Sequence, residues 1–187
     1  MKELKPLETA RLILNTISLA DEKAIFDLFS NDQVLEFYDV KKFTSSVQAR
    51  QLITQIGEKF ENETGFRYAI RLKPLKQDEP MMGSFGVNRI LNVAGQFGVV
   101  IGCDLHPDYW QKGYMSEVLT VILSELKNHQ LFSKKISFVV AEVYVGNDGS
   151  MQLLRKHGFH QVSDNIAEQI RLDLEISSRQ IFKLALN

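Results

Sequence analysis

Between residues 97 and 145 the hydropathy pattern changes character twice, and that succession limits the fold more than any other feature. Residues 97–105 read as a strand, closed by His106 and Pro107. After Gly113, the residues Met115, Val118, Leu119, Ile122, Leu123 and Leu126 recur on one face of a helix. Residues 136–145 are almost continuously apolar, as in a central strand buried on both sides. Strand, helix and strand in that order predict a crossover connection.

The earlier half reads differently. Residues 11–14 form a first strand. Ser18 with Asp21 three positions on resembles a capping box, opening a helix that buries Ile25, Leu28 and Phe29. A second helix starts near Ser45 or Ser46 and places Ala49, Leu52, Ile53, Ile56 and Phe60 on one face. The period then becomes two. Tyr68, Ile70 and Leu72 alternate with Arg67, Ala69 and Arg71, and Phe85, Val87, Arg89 and Leu91 continue the alternation. Residues 73–80, bounded by Pro74 and Pro80, read as the turn between these strands. A short helix over 148–157 and strands near Phe159 and over 181–186 complete the chain. The order β-α-α-β-β-β-α-β-α-β-β predicts an α/β fold, a mixed α+β sheet that is antiparallel early and has a crossover later.

At 187 residues the chain fits one domain, 1–187, able to bury roughly 70% of its unfolded surface. Twenty-two basic residues against 23 acidic ones leave a net charge of -1, which disfavours sequence-independent nucleic-acid binding. Cys103 is the single cysteine, so an internal disulfide framework and a multi-cysteine zinc site are excluded. His106, His129, His157 and His160 show no metal-ligand spacing, and no metal is expected. No run of 18 apolar residues occurs, so neither a membrane span nor a membrane partner is expected, and the cytoplasm is the expected location.

Two segments carry candidate chemistry. In the first, a strand ends at Leu105, Pro107 breaks it, and Lys112-Gly113 feeds a helix. The first amides of that helix lack intrahelical partners, its dipole is positive there, and Gly113 lets a phosphate approach the backbone. The same residues also describe an ordinary glycine turn before a core helix. The second runs Asn147-Asp-Gly-Ser150 and then Lys156-His-Gly-Phe159, which taken alone is a helix N-cap and a glycine stop.

Together with Thr9-Ala-Arg-Leu-Ile-Leu14 and His106-Pro-Asp-Tyr-Trp-Gln-Lys-Gly-Tyr114, these segments make an ordered set that resembles the GNAT superfamily of acetyl-CoA-dependent N-acetyltransferases, in particular its RimJ/RimL-type branch. The resemblance covers residues 9 to about 186. It implies a central, mostly antiparallel sheet splayed between two strands, here 97–105 and 136–145, and flanked by helices, with acetyl-CoA in the cleft. Backbone groups of Cys103 and Leu105 would meet the pantetheine. Trp110, Gln111, Lys112, Gly113, Tyr114, Met115 and Ser116 would form the pyrophosphate loop. Asn147 would hold the pantetheine arm, and Ser150 would protonate the leaving thiolate.

The implied chemistry is direct attack of an amine on the thioester carbonyl, which needs a neutral amine, an N–H for the developing oxyanion and a proton for sulfur. Two positions depart from the pattern. Met115 stands where a small residue ends the loop, and crowds the diphosphate unless it turns into the core. Val100 replaces the usual acidic residue two positions before Gly102. If no bulge intervenes, Val100, Gly102 and Asp104 share a face, making Asp104 a candidate base. Glu168 is the other candidate. Residues 35–39 and the second helix would border the acceptor, although 35–39 read equally as hydrophobic packing between the first two helices.

The acceptor expected from the branch is a peptide or protein N-terminal amine. The alternatives are a small-molecule amine, which a carboxylate-rich cleft would favour, and a non-catalytic acyl-CoA-binding protein. Monomer and homodimer both stay open. Cys103 reads as a small strand residue, and Tyr109 and Trp110 as packing aromatics or an adenine stack.

Overall fold

The computed structural model describes residues 4–74, 80–128, 131–132, 134–162 and 179–186. Strands β1 (Leu7–Glu8) and β2 (Leu12–Thr16) open the chain. The capping box at Ser18 and Asp21 is formed, but it starts a single 3-10 turn that leads into helix α1 (Glu22–Phe29). Helix α2 (Asp32–Leu35) is one turn, capped by Asn31. Helix α3 (Ser46–Glu61) begins at a second capping box, Ser45 with Gln48. Strands β3 (Phe66–Leu72), β4 (Gly83–Val93) and β5 (Gln96–Leu105) follow, then helix α4 (Tyr114–Lys127) and strand β6 (Ile136–Tyr144). Helix α5 (Asp148–Lys156) and strands β7 (His160–Gln161) and β8 (Arg179–Ala185) end it.

Among the described residues eight strands lie in one sheet, ordered β1-β2-β3-β4-β5-β6-β8-β7. Every neighbouring pair is antiparallel except β5 and β6, the pair joined by α4. The mixed sheet and its crossover are as the sequence predicts. The short elements β1 and α2 are additions, being too brief for periodicity to register.

The main core lies between one sheet face and helices α4 and α5. It contains Leu12, Leu14, Tyr68, Ile70, Val99 and Ile101 from the sheet, and Val118, Leu119, Ile122 and Leu126 from α4. Helices α1 and α3 cover part of the opposite face through Ile25, Leu28, Phe29, Ala49 and Ile53, which pack around Ala69. Farther along that face, Leu91, Val100, Phe138, Val140 and Ile181 form a smaller cluster.

One expected alternation fails. Val87 pairs with Ile101 while Arg89 pairs with Val100, so Asn88 is an extra residue on β4. A bulge reverses the faces beyond it, which is why Phe85 and Val87 join the main core and Leu91 joins the small cluster. Strand β5 itself alternates without a break from Val99 to Asp104. Of the 73–80 turn, residues 75–79 lie outside the described residues, as do Glu168 and His129.

Candidate active site

The site follows from the one parallel pair among the described residues. Strands β5 and β6 are joined from Phe97↔Ile136 to Ile101↔Ala141 and no further. Beyond that point β5 stays with β4, through Gly102↔Gly86 to Leu105↔Gly83, while β6 stays with β8, through Glu142↔Ile181 to Tyr144↔Arg179. The two strands therefore part like a V from Gly102 and Glu142 onward. Because they are parallel, their C-terminal ends and the helices that follow them, α4 and α5, emerge at the same edge of the sheet.

The connection from β5 to α4 runs through a 3-10 turn, Pro107–Tyr109, capped by His106. Trp110 follows it, with its indole N–H donating to the Leu105 carbonyl at 2.7 Å. Gln111 has φ +59° and Gly113 φ +77°, so the chain turns through the left-handed region twice in three residues. Gly113 caps α4 with no side chain, which leaves the first N–H groups of the helix unsatisfied by any cap side chain. A Cβ on Gly113 would meet only Arg11 Nη2, at 3.7 Å. The backbone is thus open to an incoming group, and the uncapped helix end fits an anion such as the diphosphate of acetyl-CoA.

Lys112 Nζ stands 5.7 Å from the Tyr109 ring centre. Tyr114 and Met115 pack against the main core, so the Met115 side chain is turned inward, the arrangement the loop needs. Ser116 Oγ lies 2.8 Å from His157 Nε2 and ties the first turn of α4 to the end of α5. Burial, with the charge of Lys156 beside it, holds the His157 imidazole below its usual value. At the start of α5, the Asn147 side-chain oxygen accepts the Ser150 backbone N–H at 3.1 Å. Asn147 is therefore a cap as well as a candidate ligand.

On the face of the V opposite the main core, Asp104 is fully enclosed. Its Oδ1 accepts the Ser84 N–H at 2.9 Å. Its Oδ2 accepts Ser84 Oγ at 2.6 Å, Arg67 Nη1 at 2.8 Å and the Tyr38 hydroxyl at 3.4 Å. Burial pushes the Asp104 carboxyl up, with Arg67 and the hydroxyls opposing it. Burial and the Asp104 charge push the Cys103 thiol up to about 12, so Cys103 is a neutral strand residue at physiological pH. Arg67 Nη2 reaches Asn88 Oδ1 at 3.0 Å, and these two side chains stand over Gly102, where a Cβ would sit 2.5 Å from Asn88 Nδ2.

Sequence reasoning passed over Glu142. It is the only charged residue in 136–145, and that isolation inside an apolar strand was the available signal. In the sheet it occupies the β6 arm of the V, on the face shared by Val100, Gly102 and Asp104. Its carboxylate accepts Arg179 Nη1 at 2.6 Å. Burial pushes the Glu142 carboxyl above the usual range, with Arg89 pulling the other way. Arg179 also pairs with Asp39, which follows α2, and lies 4.9 Å from the Tyr144 ring centre. Residues 38 and 39 thus reach the V, while Leu35 and Tyr38 also pack against the cluster under α1 and α3.

Beside Arg67 and Asn88 a pocket of about 430 Å³ opens between α3 and the sheet. Ile25, Phe29, Phe43, Leu52 and Ile56 give it apolar walls, and Gln48, Gln51, Gln55, Lys59 and Arg67 its polar ones. Among the described residues no carboxylate lines it.

This parted sheet, with a glycine-opened helix at its edge, is the arrangement of one acyltransferase class. A family model described as an acetyltransferase (GNAT) domain matches residues 11–160, and the chain belongs to that family. It is an acetyl-CoA-dependent N-acetyltransferase. The chain is 30% identical over 155 residues to the uncharacterized N-acetyltransferase YoaA of Bacillus subtilis (strain 168), spanning 83% of this chain and 82% of that one. Among solved structures it is similar to the ribosomal L7/L12 alpha-N-protein acetyltransferase RimL in complex with coenzyme A. The TM-score is 0.74 at 15% identity, over 97% of this chain and 98% of that one. It is also similar to the microcin C7 self-immunity acetyltransferase MccE in complex with acetyl-CoA and AMP. There the TM-score is 0.72 at 15% identity, over 95% and 93% of the two chains. At those identities the likeness is one of fold.

Proposed function

We propose that this enzyme acetylates the primary amine at a peptide or protein N-terminus. The observation that carries this reading is the pocket beside the V, which has apolar and amide walls, two cations in Lys59 and Arg67 and, among the described residues, no carboxylate. A polycationic small amine needs acidic partners for its buried charges, whereas a chain terminus with neutral or apolar first side chains fits apolar and amide walls. The fold similarity to RimL, an alpha-N-protein acetyltransferase, supports the same acceptor class.

Residues 110–116 hold the diphosphate, through the Gly113 turn and the open N-terminus of α4, with Lys112 as the added cation. Cys103, Leu105 and Asn147 flank the pantetheine arm. Acetyl-CoA supplies the acetyl thioester. Glu142 takes the proton from the amine nitrogen, which its burial-raised affinity for protons suits. Ser150, oriented by the Asn147 cap, gives its hydroxyl proton to the departing sulfur and regains one from water. Asp104 serves as the anchor of Arg67, since both of its oxygens already accept donors.

The test is release of free thiol from acetyl-CoA over a panel of short peptides varied at the first residue, beside polyamines and aminoglycosides. Peptide-dependent release with N-terminal acetyl products is expected. Turnover confined to the polycations would refute the acceptor assignment, and tight CoA binding without turnover on any amine would leave a cofactor-binding module.

A further inference from the structure

Arg11 lies just before β2 yet sits against the loop before α4, about a hundred residues further along the chain. Its Nη1 donates to the Lys112 carbonyl at 3.1 Å. Its Nε and backbone N–H both bind Glu117, at 2.7 and 2.9 Å, and the Thr9 hydroxyl donates to the same carboxylate. The guanidinium lies 4.5 Å from the Tyr114 ring centre. Its Nη2 edge faces the space that a Cβ on Gly113 would take.

We propose that Arg11 is a positioning residue for the diphosphate of acetyl-CoA, fixing the turn and cancelling the acidic charge at the start of α4. The inference rests on the loop being the diphosphate site. Two physical effects carry it. In a trans peptide the carbonyl oxygen and the following N–H point in opposite directions, so holding the Lys112 carbonyl fixes where the Gly113 N–H points. Glu117 is the acidic residue in the first turn of α4. Burial alone would push its carboxyl up, but Thr9 and Arg11 together hold it below the usual range, so it is charged at neutral pH. A carboxylate there suits the helix dipole but repels an anion at the helix end. Arg11 removes that repulsion while keeping the helix start intact.

The experiment compares acetyl-CoA with S-acetylpantetheine, a donor without the diphosphate, and adds calorimetric titration with CoA. Arg11→Ala should raise KM for acetyl-CoA and Kd for CoA by about 10- to 100-fold. Its kcat should stay within about threefold of wild type, and its KM for S-acetylpantetheine should not move. Adding Glu117→Gln to Arg11→Ala should recover most of the lost affinity. Arg11→Lys, which keeps the charge but not the fork, should fall between. An equal loss with both donors, or no recovery in the double variant, overturns the proposal. Wild-type protein that binds no CoA overturns the loop reading and this inference with it, whereas wild-type binding untouched by Arg11→Ala overturns this inference alone.

Discussion

Replacing Gly113 separates what the turn costs the fold from what it gives the ligand. At φ +77° an L side chain is strained, by about 1–2 kcal/mol in the left-handed region. Part of that, about 0.4–1 kcal/mol, is offset because alanine restricts the unfolded chain. No steric term adds to it, since the new Cβ would meet only Arg11 Nη2 at ordinary contact distance, 3.7 Å. Gly113→Ala should therefore destabilise by about 1 kcal/mol, lowering Tm by about 2–4 °C for a domain of this size. Binding should suffer far more. The methyl stands where a phosphate oxygen approaches the backbone, and each charge-assisted bond lost costs about 1.5–3 kcal/mol, so affinity for CoA should fall roughly 10- to 150-fold. Gly113→Asp adds repulsion of about 3 kcal/mol for charges roughly 5 Å apart at an effective dielectric of 20, and binding should be lost while melting stays cooperative. Calorimetry with CoA and a thermal melt read both quantities. A Gly113→Ala protein with wild-type CoA affinity would refute the loop assignment, whatever its Tm.

Glu142→Gln should lower kcat/KM by about 10²–10⁴-fold and leave CoA affinity unchanged. A base works deprotonated, and burial raises this one, so the wild-type rate should climb as pH rises through that elevated value. The variant should lack this limb, and wild-type turnover in it would remove Glu142 from the chemistry. Asp104→Asn leaves Arg67 buried without its anion, a loss of about 3–5 kcal/mol, so Tm should fall by roughly 6–20 °C. An unshifted melt with a collapsed rate would instead return Asp104 to the role of base.

Much of this was readable from the chain, and the parts that were not share a cause. The helical faces of α3 and α4, the crossover and the glycine turn are local patterns, visible as periodicity and punctuation. The bulge at Asn88 was not, because an extra residue in a strand changes nothing in composition and shows itself only against its partner. The alternation of Val100, Gly102 and Asp104 was correctly expected, yet it could not say that Asp104 would be surrounded by Ser84, Arg67 and Tyr38 from three other segments. Glu142 is a lone acid in an apolar strand, a signal the sequence reading passed over, and its place at the mouth of the V depends on where β5 and β6 stop pairing.

By itself the sequence determined the longer elements, their order, the family and the glycine turn before α4, since each of these is written in residues near one another in the chain. The tertiary structure alone decided which charges meet. Arg11 reaches Glu117, Arg67 reaches Asp104 and Arg179 reaches Glu142 only because the fold brings together elements distant in sequence. Electrostatic partnership falls off over a few ångströms of space and takes no account of separation along the chain.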